Sequence, residues 1–87
     1  MRRSIDLSTD AVAVLLFISR QRLRLYQHVP FSEIQSALNY SRSRLLEACS
    51  ECVRGGWLVS EPRDGEIHYS LMAAGRRRVV KLVPRLN

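Results

Sequence analysis

"FSEIQSALNYSRSRLLEACSECVRGGWLV", residues 31–59, is the stretch of sequence that decides the fold. It contains two segments with helical spacing of apolar residues, separated by a tight break at Asn39-Tyr40. We predict the first segment as a short helix over 32–39, and Ser32 with Gln35 has the capping-box spacing at its start. Its apolar residues fall on one helical face: Phe31, Ile34 and Leu38.

The second segment is predicted as a longer helix over 41–54. Ser41 is placed to cap it, and Gly55-Gly56 ends it because glycine accepts the left-handed conformation of a closing turn. One side carries an apolar stripe: Leu45, Cys49, Cys52 and Val53. The opposite side is polar: Ser43, Arg44, Glu47, Ser50, Glu51 and Arg54. The apolar stripe is expected to face inward and the polar side outward.

The segment before this pair, "LSTDAVAVLLFISRQ", is predicted as a helix over 8–21. Ser8 and Thr9 are its capping candidates, and Asp10 lies in the first turn, where the helix dipole favours negative charge. Its apolar residues lie on all sides, which is typical of a helix buried on most faces. Residues 22–26, "RLRLY", alternate as in a short half-exposed strand, although a frayed helix end fits them equally.

The segment after the pair, residues 57–71, is predicted as a β-hairpin. Its strands are Trp57–Ser60 and Ile67–Leu71, and Arg63-Asp64-Gly65 forms the turn. A C-terminal helix is predicted over 72–84, and residues 1–7 are predicted as an N-terminal arm. The whole chain is therefore one mostly helical α+β domain. Its order of elements is that of a winged helix-turn-helix, in which one helix fits the major groove of DNA and a hairpin lies beside it.

The charge of the chain favours an anionic partner. Its 87 residues include 14 Lys and Arg against 8 Asp and Glu, a formal net charge of +6. Such a balance points to nucleic acid first and to an anionic membrane surface second. Lys81 is the only lysine. Arginine suits paired contacts to phosphate and guanine, although a GC-rich genome produces the same bias.

Several classes of protein are not expected. The first residues show no signal-peptide pattern, and the longest apolar run, Ala11–Ile18, is too short to span a bilayer. We therefore expect a soluble, cytoplasmic protein without a membrane partner. The sequence has no glycine-rich phosphate loop, no paired carboxylates in a pocket-sized domain and no nucleophile set. Neither an enzyme, nor a cofactor, nor a small-molecule ligand is indicated.

The same residues carry a family resemblance, which covers roughly residues 10 to 80. The chain resembles small winged helix-turn-helix transcriptional regulators of the MarR, PadR and ArsR-like kind. The matching positions are Glu33-Ile34, Leu38, Ser41, Cys49, Cys52, Gly56, Tyr69, Leu71, Gly75 and Arg76. Met72 stands where the family usually has threonine, and Ser70 is the residue able to replace that cap. Cys49 and Cys52 stand where the family usually has leucines.

Cys49 and Cys52 form a C-x-x-C, which admits three interpretations. On the inward stripe a free cysteine behaves as a small apolar side chain, and we favour this reading. A redox-active pair requires an exposed thiol or one with a low pKa. A structural zinc needs four ligands, and the remaining candidates, His28 and His68, are single and distant in sequence. We therefore predict no metal site.

The resemblance implies that the helix over 41–54 contacts double-stranded DNA. Arg42 and Arg44 lie in its first turn, where the helix dipole disfavours positive charge, so a functional reason for them is worth seeking. Glu47 is placed to accept a hydrogen bond from cytosine N4. The candidate contacts on this helix are Ser41, Arg42, Ser43, Arg44 and Glu47. The alternative is a solvated face in which Arg44 and Glu47 pair at i,i+3.

Three further arginines are candidate DNA contacts outside this helix. Arg63 lies at the hairpin turn and would probe the flanking backbone or minor groove, while Asp64 and Glu66 dilute its charge. Arg2 and Arg3 form the predicted N-terminal arm.

Apolar surface on the first and last helices predicts a homodimer through Ala11–Ile18 and Val79–Leu86. The function implied by the resemblance is that of a sequence-specific, dimeric transcriptional regulator. The alternative is a winged helix that mediates protein–protein contact in a transcription, replication or membrane-remodelling assembly.

Overall fold

In a computed structural model, which describes residues 7–21, 28–75 and 77, three helices pack on a three-stranded antiparallel sheet. The elements are α1 (Thr9–Gln21), β1 (Val29–Pro30), α2 (Phe31–Leu38), α3 (Arg42–Arg54), β2 (Leu58–Arg63) and β3 (Glu66–Leu71). This order confirms the predicted winged helix, a mostly helical α+β fold. Within the described ranges, every helix is too short or too polar to cross a bilayer.

The sheet has the strand order β1-β3-β2, so β3 pairs on both sides. β2 and β3 form the hairpin, closed by Asp64 and Gly65 with φ of 52° and 83°. A two-residue turn with positive φ at both positions matches the twist of the strands. The prediction placed Arg63 in the turn, but it is the last residue of β2 and pairs with Glu66. Pro62 is tolerated because β2 is an edge strand.

The strand that joins the hairpin to the helices is β1, whose Val29 pairs with Tyr69 and whose Pro30 pairs with His68. The strand predicted over 22–26 lies outside the described residues. So do residues 1–6 of the predicted arm and most of the predicted C-terminal helix, of which residues 73–75 are described and helical.

The starts of α1 and α3 are capped as predicted. Ser8 Oγ accepts a hydrogen bond from the Ala11 N–H at 3.1 Å, and Ser41 Oγ accepts one from the Arg44 N–H at 3.2 Å. The start of α1 is also bound to α3, because the Ser8 N–H and hydroxyl both donate to the Glu51 carboxylate at 2.8 Å.

The capping box predicted for α2 is wrong. The helix begins at Phe31, one residue earlier than predicted, and Pro30 precedes it without a side-chain cap. Ser32 therefore lies inside the first turn, where its N–H has no partner within the helix. The Glu66 carboxylate of the hairpin accepts from that N–H at 3.0 Å and from the Ser32 hydroxyl at 3.3 Å. A carboxylate distant in sequence thus caps α2.

The ends of α2 and α3 follow the predicted turns. Asn39 closes α2 in the left-handed region, with φ of 57°. After α3, Gly56 has φ of +80°. The Trp57 N–H donates to the Cys52 carbonyl and the Gly56 N–H to the Val53 carbonyl, each at 3.0 Å. This pair of bonds is the Schellman motif, which needs a residue such as glycine at the left-handed position.

The core lies where α1, α2, α3 and the sheet meet. Its largest fully buried apolar side chains are Leu15, Ile18, Ile34, Leu45, Val14 and Val29. Cys49 and Cys52 are free and also fully buried there, which confirms the apolar interpretation of the C-x-x-C. Burial raises the pKa of the Cys49 thiol to about 11 and that of Cys52 to about 12. Neither thiol has the low pKa of a redox-active cysteine.

α1 is not buried equally on all sides, contrary to the impression given by its sequence. Its core face is fully buried within this chain: Ala11, Val14, Leu15 and Ile18. The remaining apolar residues of the same stretch are half-buried: Val12, Ala13, Leu16 and Phe17. Of the apolar residues in Ala11–Ile18, only this second set has surface left for another molecule.

Candidate nucleic-acid interface

The packing of α3 decides which of its side chains face solvent. Leu45, Ala48, Cys49 and Cys52 are buried against the core. At 100° per residue, the side of α3 opposite these four carries a stripe that we call the outer face. Its residues are all exposed: Ser43, Glu47, Ser50 and Arg54. Ser43 and Glu47 were predicted as DNA contacts. Ser50 and Arg54 were not, although the same helical spacing places them on the polar side and they share this face.

Arg44 lies on the flank of α3 that faces α1. Its Nε donates to Asp10 Oδ2 at 2.8 Å and its Nη2 donates to Asp10 Oδ1 at 2.9 Å. The guanidinium also lies over the Tyr40 ring, 3.9 Å from the ring centroid. Its hydrogen bonds to Asp10 lower the pKa of that carboxyl. The partner considered from sequence was Glu47, but the residue bound is Asp10, which is 34 positions away.

Arg42 lies on the other flank, towards α2 and the hairpin. Its guanidinium stacks over Phe31, 5.3 Å from the ring centroid. Across the part of the chain that the structure describes, no carboxylate forms an ion pair with Arg42 or with Arg54. Ser41 is also exposed, but its hydroxyl is occupied in capping the helix.

The tip of the hairpin is more acidic than the outer face of α3. Arg63 Nε donates to Glu61 Oε2 at 3.1 Å, so the arginine expected to probe DNA is paired with its own strand. His28 Nε2 lies 3.7 Å from the other oxygen of Glu61. The tip carries Arg63 with three carboxylates: Glu61, Asp64 and Glu66. The Ser32 N–H and hydroxyl lower the pKa of Glu66, which keeps its carboxylate charged.

A groove separates α3 from the hairpin. Two cavities, of ≈ 240 Å³ and ≈ 290 Å³, lie along it and share Leu46 and Ile67 in their walls. Arg42 lines the first cavity and Arg54 the second. We call the combined depression the α3–hairpin groove.

A third cavity, of ≈ 360 Å³, lies on the other flank of α3, between α3 and the start of α1. Its charged lining contains both signs: Asp10, Arg44, Glu47, Glu51 and Arg54. Asp10 and Arg44 pair with each other, which leaves the carboxylates of Glu47 and Glu51 beside Arg54 in this lining. Among the described residues, His, Cys, Asp and Glu nowhere form a group of three that could hold a metal ion.

The structure therefore brings together only part of the predicted contact set. Ser43 and Glu47 share the outer face of α3. Arg42 lies at the start of the helix on one flank, and Arg44 is bound to Asp10 on the other. Arg63 lies on the hairpin. Arg2 and Arg3 fall outside the described residues.

A scan against protein-family models and a search of curated proteins each gave no match. Among solved structures, the chain is similar to the crystal structure of the adhesin competence repressor from Streptococcus pyogenes, with a TM-score of 0.77 and 15% sequence identity. The match covers 97% of this chain and 59% of that one, so the chain spans about three fifths of that protein's length. At this level of identity the likeness shows a shared winged helix fold.

Proposed function

We propose that this chain is a sequence-specific, double-stranded DNA-binding transcriptional regulator that acts in the cytoplasm and inserts α3 into the major groove. The observation that carries the proposal is the outer face of α3, which is polar, exposed and supported by a helix anchored at both ends. An α-helix of this kind fits the major groove, where base edges are distinguishable. The solved structure with a similar fold is named as a repressor, which supports a regulatory role.

Each side chain on and beside the outer face has a distinct role in this proposal. Arg42 and Arg54, without carboxylate partners among the described residues, would contact phosphates or guanine. Glu47 would accept from cytosine N4, and Ser43 and Ser50 would donate to bases or phosphates. Ser41 would act by holding the start of the helix. Arg44 would brace α3 against α1 and contact DNA with the exposed part of its guanidinium.

The unpaired arginines beside α3 also support an anionic partner. Arg42 and Arg54 have no carboxylate partner among the described residues, on a chain of net charge +6. We retain Arg63, Arg2 and Arg3 as proposed contacts to the flanking backbone.

We further propose that the regulator is a homodimer. The α1 contribution would come from its half-buried residues, Val12, Ala13, Leu16 and Phe17, rather than from the whole of Ala11–Ile18. Val79–Leu86 would complete the interface. A two-fold dimer would contact two half-sites about 34–36 Å apart. Sedimentation equilibrium tests this proposal, since a mass that stays monomeric at high concentration would contradict it.

Fluorescence anisotropy of a labelled random-sequence duplex tests the main proposal. Wild type should bind, and binding should weaken steeply between about 50 and 200 mM salt as counterions compete for the phosphates. Ser50→Glu should bind poorly because it places a negative charge on the outer face of α3. Ser50→Ala should bind nearly as well as wild type. Operator selection would then define the sequence.

A second candidate is a winged helix that mediates protein–protein contact. The observation that favours it is the exposed apolar surface of the hairpin, where Val59 is 41% exposed and Ile67 is 37% exposed. The tip of the same hairpin is acidic. A protein that fails to bind duplex DNA at low salt, with its fold intact, would support this candidate over the first.

A further inference from the structure

The chain contains two histidines, and the fold brings them together. His28 lies directly before β1 and His68 lies on β3, with ring centroids 6.2 Å apart. Side chains alternate along a strand, so His68 points away from the α3–hairpin groove that Ile67 and Tyr69 line. Histidine is the side chain that ordinarily gains or loses its charge between about pH 5 and 8. The groups best suited to respond to pH near neutrality therefore lie at one place on the sheet.

His28 has an acceptor beside each of its ring nitrogens. Its Nε2 lies 3.7 Å from Glu61 Oε1 on β2, and its Nδ1 lies 3.5 Å from the hydroxyl of the buried Ser70 on β3. A protonated imidazole has two N–H donors, whereas a neutral one has a single donor. The surroundings of His28 therefore suit its protonated form, which places a positive charge beside the Glu61 carboxylate.

His68 has different surroundings. Its Nδ1 is a buried atom with no hydrogen-bond partner among the described residues. A charged His68 would carry an N–H at that atom without an acceptor, which is costly in a buried place. β1 carries no charged side chain, and the Glu66 carboxylate on β3 is already bonded to Ser32 of α2. Of the two rings, His28 is thus the one whose contacts suit a proton.

The Glu61 carboxylate connects His28 to the arginine of the hairpin. Glu61 Oε1 faces His28, while Glu61 Oε2 accepts from Arg63 Nε at 3.1 Å. One carboxylate therefore lies between a permanent cation and a group that becomes a cation at lower pH. When His28 is neutral, the charge of Glu61 offsets that of Arg63. When His28 is charged, it shares the same carboxylate, and the charge of Arg63 is no longer fully offset.

We propose that His28 is a proton sensor that regulates DNA binding by controlling, through Glu61, the free charge of Arg63. This inference rests on the proposed function, in which Arg63 contacts the flanking backbone. As the pH falls, His28 takes a proton from the solvent and pairs with Glu61, and Arg63 becomes available to a phosphate. Because polyanionic DNA prefers the form with more positive charge, binding takes up protons and affinity rises as the pH falls.

The first test is anisotropy of a labelled random-sequence duplex in about 50 mM salt, at about pH 5.5 and pH 7.5. Wild type should bind at least about threefold more tightly at the lower pH, a change of the size that exposed ion pairs produce. His28→Gln should lose this response. His68→Gln is the matched control, which removes the other histidine and should respond like wild type. A response that persists in His28→Gln, or that disappears in His68→Gln as well, would overturn the proposal, with circular dichroism used to confirm the fold of each variant.

A second pair of variants tests the link through Glu61, since Glu61→Gln and Asp64→Asn each remove one carboxylate from the hairpin. Glu61→Gln leaves Arg63 without its partner, so at about pH 7.5 it should bind as tightly as wild type does at about pH 5.5, and its affinity should change less than about twofold with pH. Asp64→Asn, at a turn position that accepts asparagine, should keep the wild-type response. A full pH response in Glu61→Gln would contradict the link.

The wild-type result separates this inference from the proposed function. If wild type binds the duplex equally well at both pH values, the proton sensor is excluded and the DNA-binding proposal stands. If wild type binds at neither pH, both proposals fail.

Discussion

Arg44 on α3 and Asp10 on α1 form a two-pronged ion pair, with N–O distances of 2.8 and 2.9 Å, across 34 positions of sequence. The aromatic ring of Tyr40 covers the same guanidinium. The pair joins the first helix to the start of the helix proposed to contact bases. This contact lies beside the outer face of α3 rather than within it.

Asp10→Asn is expected to lower stability modestly, because it removes the charged partner of an exposed arginine. The midpoint of thermal unfolding at neutral pH should fall by less than about 5 °C, as for other exposed ion pairs in a small domain. Asp64→Asn, at a turn position with positive φ that asparagine accepts, is the control and should unfold near the wild-type temperature.

The contribution of Asp10 to the stability of the fold should also depend on pH. Its pKa in the fold lies below the ordinary value of 3.8, so the pair stabilises the fold above that value and loses this effect as the pH falls through the lowered pKa. Wild type and Asp10→Asn should therefore differ in melting temperature at about pH 7 and converge near pH 2. A difference that persists in acid would mean that the side chain acts by packing instead.

Glu66→Gln is expected to loosen the start of α2, since the carboxylate that accepts from Ser32 becomes a neutral amide. Hydrogen exchange of the Ser32 amide, followed by NMR, should become several-fold faster than in wild type. The nearby Asp64→Asn substitution should leave this rate unchanged. If the Ser32 amide exchanges equally fast in wild type and Glu66→Gln, the hairpin does not cap α2 in solution.

Both cysteines are expected to be unreactive in the folded protein. Burial raises the pKa of Cys49 to about 11 and of Cys52 to about 12, so almost no thiolate is present at neutral pH. Iodoacetamide at about pH 8 should label both residues in denaturant and neither within the same time in the native state. Rapid stoichiometric labelling of the native protein would restore the redox-sensing interpretation of the C-x-x-C.

Gly75→Ala is expected to destabilise the fold by about 1–3 kcal/mol through steric overlap. A Cβ at this buried position would overlap the Trp57 carbonyl oxygen, and the Met72 N–H holds that oxygen in place at 3.0 Å. Urea unfolding should show a lower midpoint with an unchanged slope. Ala73→Ser, on the exposed side of the same turn, should stay within about 0.5 kcal/mol of wild type. A Gly75→Ala protein as stable as wild type would contradict the close approach.

The fold was predictable because the residues that start and end its helices and form its turns act locally. Asn39, Ser41 and Gly56 are recognised by their conformational preferences, and each acts on residues within a turn of itself. The Asp64-Gly65 turn is recognised in the same way. β1 was missed because two residues make a strand only through pairing with β3, which no local pattern reveals.

The candidate site was less predictable because its charges pair over long distances. Asp10 with Arg44 and Ser32 with Glu66 each lie 34 positions apart, and Ser8 with Glu51 lies 43 apart. From sequence, Arg44 has Glu47 as its obvious partner and Ser32 has Gln35. The actual partners are distant in sequence, and they meet only because α1, α2, α3 and the hairpin pack together.

The central claim is that α3 binds duplex DNA through its outer face, and its most direct test is the salt dependence of anisotropy on a labelled random-sequence duplex. We predict that wild-type affinity falls about 40-fold between about 50 and 200 mM salt if three phosphates are neutralised. Ser50→Glu should bind at least tenfold more weakly than Ser50→Ala at the lower salt. A folded wild-type protein that shows no binding at about 50 mM salt, or a Ser50→Glu variant that binds as well as Ser50→Ala, would contradict the claim.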